Sequence, residues 1–365
     1  MRPGVSLFFR ARTVLSGLGL LACWFTFGPS TSPEPLAQEP KQQPSVQEVQ
    51  GWTQGKGWGW VWGPDDEVGS LNAMTDASRA AAMALAHRGE VFDLGLNFSR
   101  QSFKWPGHNP TEVMTFRSPD RIASMKDPDA PPDAINTDRV FWHSCALFIS
   151  DNVGTQIDGL GHIAVGADHH WYNGFKTSEW GGDFGIRKCD ASTIPPIIAR
   201  GVLIDVAAYK RVEALAGQTV ITAQDLQETL AWQGVELQVG DVVLVRTGTG
   251  RFWGEDGADH DRIAEHDSAG PDLEATRWLV EQRGAMMVGS DTSGYEVSPP
   301  PDPLATGAVI PVHKYLLVEQ GVHIAEFHYL EDLSAAKIYE FCYIAATNKI
   351  QGTTAGFALR PIAVR

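Results

Sequence analysis

Residues 150–163 read SDNVGTQIDGLGHI, a run in which Asn152, Gln156, Asp158 and His162 are separated by Gly154, Gly159 and Gly161. If 152–158 is extended, Asn152, Gln156 and Asp158 point to one side, because side chains alternate along a strand. The glycines let the backbone approach a ligand closely, and they let His162 swing back from the following loop. The expectation is a polar cluster beside a flexible approach.

Upstream, Val140–Ile149 is apolar and aromatic and is expected to form a buried strand, with His143 as a hydrogen-bonded core residue. Residues 102–139 are rich in Pro, Asp and polar residues without a sustained period, and they read as a long functional loop. Before them, Thr75 is placed to cap an Ala-rich helix ending near Gly89, and Val91–Leu96 reads as a strand. Downstream, apolar runs predict strands at 201–206, 242–247, 285–289 and 322–326, with helices at 222–233, 271–283 and 313–319. Alternating strands and helices define a single α/β domain with mixed sheets and packed helices.

The central stretch resembles the HxGTHxDxxxH pattern of the cyclase family of metal-dependent hydrolases, the group that includes bacterial kynurenine formamidase. Gly154, Thr155, Asp158 and His162 match it in register, whereas Asn152 and Gln156 stand where the family has histidines. Further likeness lies in WGPDDEVGSLN (62–72), YNGF (172–175), IIARGVLIDVA (197–207), GDVVLVRTGTGRFW (240–253), MVGSDTSGYEV (287–297) and PVHKYLLVEQGVHIAEF (311–327). The resemblance covers about residues 58–365 and implies a swivelling β/β/α fold, a divalent metal and a homo-oligomer. In the family the paired histidines and the Asp hold metal, the last His moves a proton, and a His and a Glu near the C-terminus hold a second metal. Here those positions are Asn152, Gln156, Asp158, His162, His313 and Glu326.

Two carboxylates and an imidazole, from Asp158, Glu326 and His313, suit one zinc or manganese ion rather than two. Amide oxygens from Asn152 and Gln156 are weak, neutral ligands that favour Mn²⁺ over Zn²⁺, and they serve equally well as hydrogen-bond partners of a substrate. Trp62, Tyr172 and Asn173 are candidate substrate contacts. His328, two residues beyond Glu326, is a weaker candidate as a replacement ligand, and Asp291 fits a turn or cap as readily as a site. Neither a GxSxG elbow nor a nucleotide-binding glycine motif is present. The expected activity is hydrolysis of an amide, formamide, cyclic amide or ester bond in a small aromatic substrate, as in an arylformamidase. The alternative is an exported binding protein with a degenerate metal site and no catalysis.

The 365 residues carry a formal charge of −15, which disfavours nucleic acid or an anionic membrane surface as partner. A small molecule fits that charge. Arg2, Arg10 and Arg12 precede an apolar run from Val14 to Phe27, shorter than the about 20 residues a membrane span needs. Residues 1–40 therefore read as an export signal and the start of a tether, 41–57 as a flexible linker, and 58–365 as the hydrolase domain. The mature chain is expected in the periplasm or outside the cell, either free after cleavage near Ala37 or lipid-anchored through Cys23. The other cysteines, Cys145, Cys189 and Cys342, form no CxxC pair.

Overall fold

The structure is a computed structural model and describes residues 51–365 except 110, 126–129 and 255–256. The proposed leader, including Cys23, lies outside the described residues. Among the described residues no helix is long and apolar enough to cross a membrane.

Nine strands form one mixed sheet: β1 (Val91–Asp93), β2 (Gln156–Asp158), β3 (Ile197–Asp205), β4 (Val242–Arg246), β5 (Met287–Ser290), β6 (His323–Glu326), β7 (Glu340–Ala345), β8 (Ala355–Gly356) and β9 (Ile362–Val364). Their spatial order is β1-β9-β7-β3-β4-β5-β6-β2-β8. The middle four, β3 to β6, run parallel. They are almost wholly buried, which is why β3 and β4 read as largely apolar runs. Antiparallel strands flank them on both sides.

Helix α1 (Asp76–Met83) begins at Thr75, whose side chain accepts from Ser78 N while the Ser78 side chain accepts from Thr75 N. That reciprocal bond satisfies two otherwise orphaned N–H groups. The crossovers between parallel strands carry α2 (Ala223–Gln233), α3 (Leu273–Arg277) and α4 (Pro311–His313). Both α3 and α4 continue as wider π turns, over Trp278–Gln282 and Lys314–Gln320. The α3 helix touches both α2 and α4, so the three cover one sheet face together.

Several tryptophans act as staples for the N-terminal segment. The indole N–H groups of Trp52, Trp58 and Trp60 donate to the carbonyls of Val280, Ala285 and Val318. Packing therefore begins by Trp52, inside the stretch that sequence alone reads as linker.

The apolar run 140–149 departs from expectation. Its strand is Ser144–Phe148, paired only with Glu112–Arg117 in a separate two-stranded ribbon. His143, Leu147 and Phe148 are exposed rather than core. A two-stranded ribbon has no second layer to bury its apolar side chains, so hydrophobicity alone misplaces it.

Gly154 shapes the approach to β2. Its φ is +67°, and an added Cβ would lie 2.6 Å from the Phe98 ring. The next residue locks the turn: the Thr155 hydroxyl donates to Phe327 O and accepts from Leu96 N, each at 2.8 Å. Gly154→Ala is therefore expected to destabilise the fold by about 1–3 kcal/mol through left-handed strain and ring displacement. A denaturant midpoint unchanged from the parent would show that the turn adjusts freely.

Candidate metal and hydrolytic centre

β2 and β6 pair antiparallel with Gln156 opposite Glu326 and Asp158 opposite Ile324. Opposed residues share a face, so this register sets Gln156, Asp158 and Glu326 together on one side of the sheet. The start of the helical crossover before β6 then places His313 against them. Its Nε2 lies 3.3 Å from Glu326 Oε1 and 3.8 Å from Asp158 Oδ2. One ligand atom from each of Asp158, His313 and Glu326 lies within 4.8 Å of the others, and all three residues are buried.

Gln156 completes the group by donating. Its Nε2 reaches Glu326 Oε2 at 2.7 Å, Asp158 Oδ1 at 3.2 Å and Asn152 Oδ1 at 3.3 Å. Its Oε1 is buried without a partner. Asn152 belongs to the preceding turn, because the extended stretch is only 156–158. The expectation of three side chains alternating along one strand thus holds for Gln156 and Asp158 alone, and Asn152 reaches the group through the Gln156 amide. The turn follows from Gly154, whose positive φ interrupts an extended chain.

His162 returns over the group through a turn in which His162 N donates to Gly159 O at 3.0 Å. Its Nε2 stands 3.9 Å from Asp158 Oδ2, and its side chain is 23% exposed against 1% for Asp158 and 4% for Glu326. The open side of the centre is therefore the His162 side. His108 is near enough to His162 to feel its charge. Burial, followed by the charges of His162 and Lys104, holds its imidazole below the usual range.

Burial and the Asp158 charge push the Glu326 carboxyl up to about 8, against the opposing pull of His313. Burial alone would lower His313, but hydrogen bonds and charge from Glu296 and Glu326 raise it to about 10. The cluster thus concentrates negative charge that favours a proton or a cation. Asp158 Oδ2 is moreover buried with no hydrogen-bond partner. A buried carboxylate oxygen left bare is costly, and a divalent cation held by Asp158, His313 and Glu326 satisfies it. The residues present therefore fit a metal.

Glu296 was not singled out by sequence, although it lies in the quoted segment 287–297. Its Oε1 accepts from both His313 Nδ1 and His313 N, and its Oε2 accepts from Val312 N at 3.1 Å. That anchor leaves His313 Nε2 to face the centre, as ligand histidines are usually arranged. A carboxylate among apolar and glycine residues was the available signal.

Among the other candidates, Tyr172, Asn173, His328 and Asp291 have their polar groups engaged elsewhere. The Tyr172 hydroxyl donates to Asp66 Oδ2 at 2.8 Å, and Asn173 Nδ2 donates to the carbonyls of Gly63 and Asp66. Trp62 stacks on Trp58 with ring centroids 6.2 Å apart, though its indole N–H is buried without a partner. None of the three is hydrogen-bonded to Asp158, His313 or Glu326. His328 is fully buried between Glu326 O and the Tyr343 hydroxyl, and burial lowers it to about 4. It is a neutral core histidine with both nitrogens used. Asp291 accepts from Thr247 N, Gly248 N and Gly250 N, so it closes a loop.

An α/β chain with buried carboxylates on two antiparallel strands, faced by an imidazole from a helical crossover, is the class that fold and site define. The sequence profile described as "Putative cyclase" matches residues 92–297, and the chain belongs to that family. A crystal structure described as a novel cyclase is 27% identical, with a TM-score of 0.70, covering 85% of this chain and 99% of the other. Isatin hydrolase A from Ralstonia solanacearum shares the fold at 20% identity and a TM-score of 0.55, covering 80% of this chain and 98% of its own. An isatin hydrolase bound to the product analogue thioisatinate is similar at 18% identity and a TM-score of 0.52, with coverage of 80% and 98%. No curated protein matches in sequence.

Proposed function

We propose that this chain is a divalent-metal hydrolase that opens an amide, formamide, cyclic amide or ester bond in a small aromatic molecule. The observation that carries the reading is Asp158 Oδ2, buried without a partner and faced by Nε2 of His313 at 3.8 Å and Nε2 of His162 at 3.9 Å. That proteins sharing this fold include isatin hydrolases supports hydrolysis as the reaction.

Asp158, His313 and Glu326 would hold the ion, zinc or manganese by their donor types. When bound, the metal supplies Lewis-acid polarisation of a carbonyl and acidifies water. His162 takes a proton from the attacking water at Nε2, the water oxygen bonds to the carbonyl carbon, and the C–N or C–O bond breaks. His162 then returns the proton to the leaving nitrogen or oxygen. Glu296 holds the His313 ring in place throughout. Glu296→Gln is accordingly expected to lower metal affinity roughly 10–100-fold with the fold intact, as read by titration with Zn²⁺. Unchanged affinity would mean that the backbone alone orients His313.

A panel of N-formyl aromatics, lactones and cyclic imides, assayed with Mn²⁺, with Zn²⁺ and after chelation, tests the reading. Turnover of at least one class that chelation abolishes is the expected result. No turnover with either ion, together with no ion retained on gentle purification, would favour a binding protein instead.

A further inference from the structure

The carboxylate of Asp151, beside Asn152 in the turn before β2, is surrounded by donors. Its Oδ1 accepts from Asn152 Nδ2 at 2.9 Å. Its Oδ2 accepts from Thr354 N at 2.7 Å, Thr354 Oγ1 at 3.0 Å and Ala355 N at 3.3 Å. Thr354 in turn stands 3.4 Å from His162 Nδ1. The placement is built into the sheet, because Ala355 in β8 pairs with Asp158 in β2, and Gly159 N donates to Thr354 O at 2.8 Å. The ladder that sets Asp158 therefore also sets Thr354 beside His162.

We propose that Asp151 and Thr354 are positioning residues that fix His162 in the tautomer with its proton on Nδ1 and its lone pair on Nε2. The inference rests on the reading of His162 as the proton-transferring group. An ionised carboxylate only accepts hydrogen bonds, and a threonine hydroxyl has a single proton. With that proton given to Asp151, Thr354 Oγ1 has only lone pairs to offer His162, so Nδ1 must donate. In a neutral imidazole the other nitrogen is then the acceptor. That nitrogen, Nε2, is the one 3.9 Å from the bare Asp158 Oδ2. An unprotonated Nε2 on that side is free to accept a proton from the centre. The opposite tautomer would aim an N–H at the centre and could not receive a proton there.

Ring-nitrogen NMR of the full chain labelled with ¹⁵N-histidine, recorded over a pH series so that the neutral ring is observed, tests this directly. Signals of His162 are assigned by their loss in His162→Gln. The expected spectrum shows a protonated Nδ1 and an unprotonated Nε2 in the parent and in Thr354→Ser, and a mixture of tautomers in Thr354→Val. A protonated Nε2 in the parent, or an unaltered tautomer in Thr354→Val, would overturn the proposal. Should Thr354→Val fail to fold, the parent spectrum still decides. Because the readout does not need turnover, the expected tautomer in a chain that hydrolyses nothing would remove the functional reading and leave this one standing. An Nε2–H tautomer in an active hydrolase would do the reverse.

Discussion

Glu326→Ala is expected to remove bound metal and hydrolysis together, whereas His162→Ala lowers turnover by about 10²–10⁴-fold and leaves metal bound. The split follows from where each side chain sits. Glu326 is buried at the end of β6, with one oxygen 2.7 Å from Gln156 Nε2 and the other 3.3 Å from His313 Nε2. Its removal deletes a ligand from the middle of the group and leaves Asp158 and His313 alone. The fold should tolerate the change, because the Asp158 charge and burial already work against an ionised Glu326. His162 instead approaches from the open side and holds its Nδ1 on Thr354, so its loss vacates the approach without disturbing the buried trio. Metal content and turnover of the two variants, measured side by side, check the split. An empty site in His162→Ala would make His162 a ligand and end its role as base.

The second large effect concerns the two amides at the family's histidine positions. Asn152→His combined with Gln156→His is expected to raise zinc affinity by more than the roughly 10–100-fold that outer partners of a metal site contribute, without a matching gain in turnover. Gln156 carries most of this. Its side chain is on the β2 face, with its nitrogen in contact with both carboxylates, and an imidazole there points a lone pair at the same space. Asn152 lies in the turn and contacts Gln156 and Asp151, so its replacement contributes less. Turnover is expected to stay flat or fall, because histidine cannot reproduce an amide's paired donor and acceptor. Zinc titration of the parent, both single variants and the double variant separates these contributions. Equal affinities across the set would show that residue 156 does not face the metal.

Much of the fold could be read from local pattern. β3 and β4 are runs rich in Val, Ile and Leu that a doubly covered sheet explains, and Thr75 announced its helix by a cap. What could not be read was anything set by register or by the second layer. Strand 144–148 is as apolar as its buried counterparts, yet it is exposed, because burial depends on what packs above it. The contact of Asp158 with Glu326 depends on which residues of β2 and β6 stand opposite, and a shift of one residue would send one of them to the other face. The segment around Asp158 signalled the site by its family pattern, and the same pattern brought in His313 and Glu326. Glu296, Asp151 and Thr354 act through other residues, and no local spacing marks such partners. Tyr172 and Asn173 look like substrate contacts in sequence but are occupied by the 63–66 loop, a competition visible only in three dimensions.

The central claim is that Asp158, His313 and Glu326 hold a divalent cation. Anomalous diffraction from crystals of the full chain grown with Mn²⁺ or Zn²⁺ tests it most directly. The account predicts one anomalous peak at about 2.0–2.3 Å from His313 Nε2, Glu326 Oε1 and Asp158 Oδ2. A map with no peak there, under conditions in which the ion is bound elsewhere or the chain hydrolyses substrate after chelation, would contradict it.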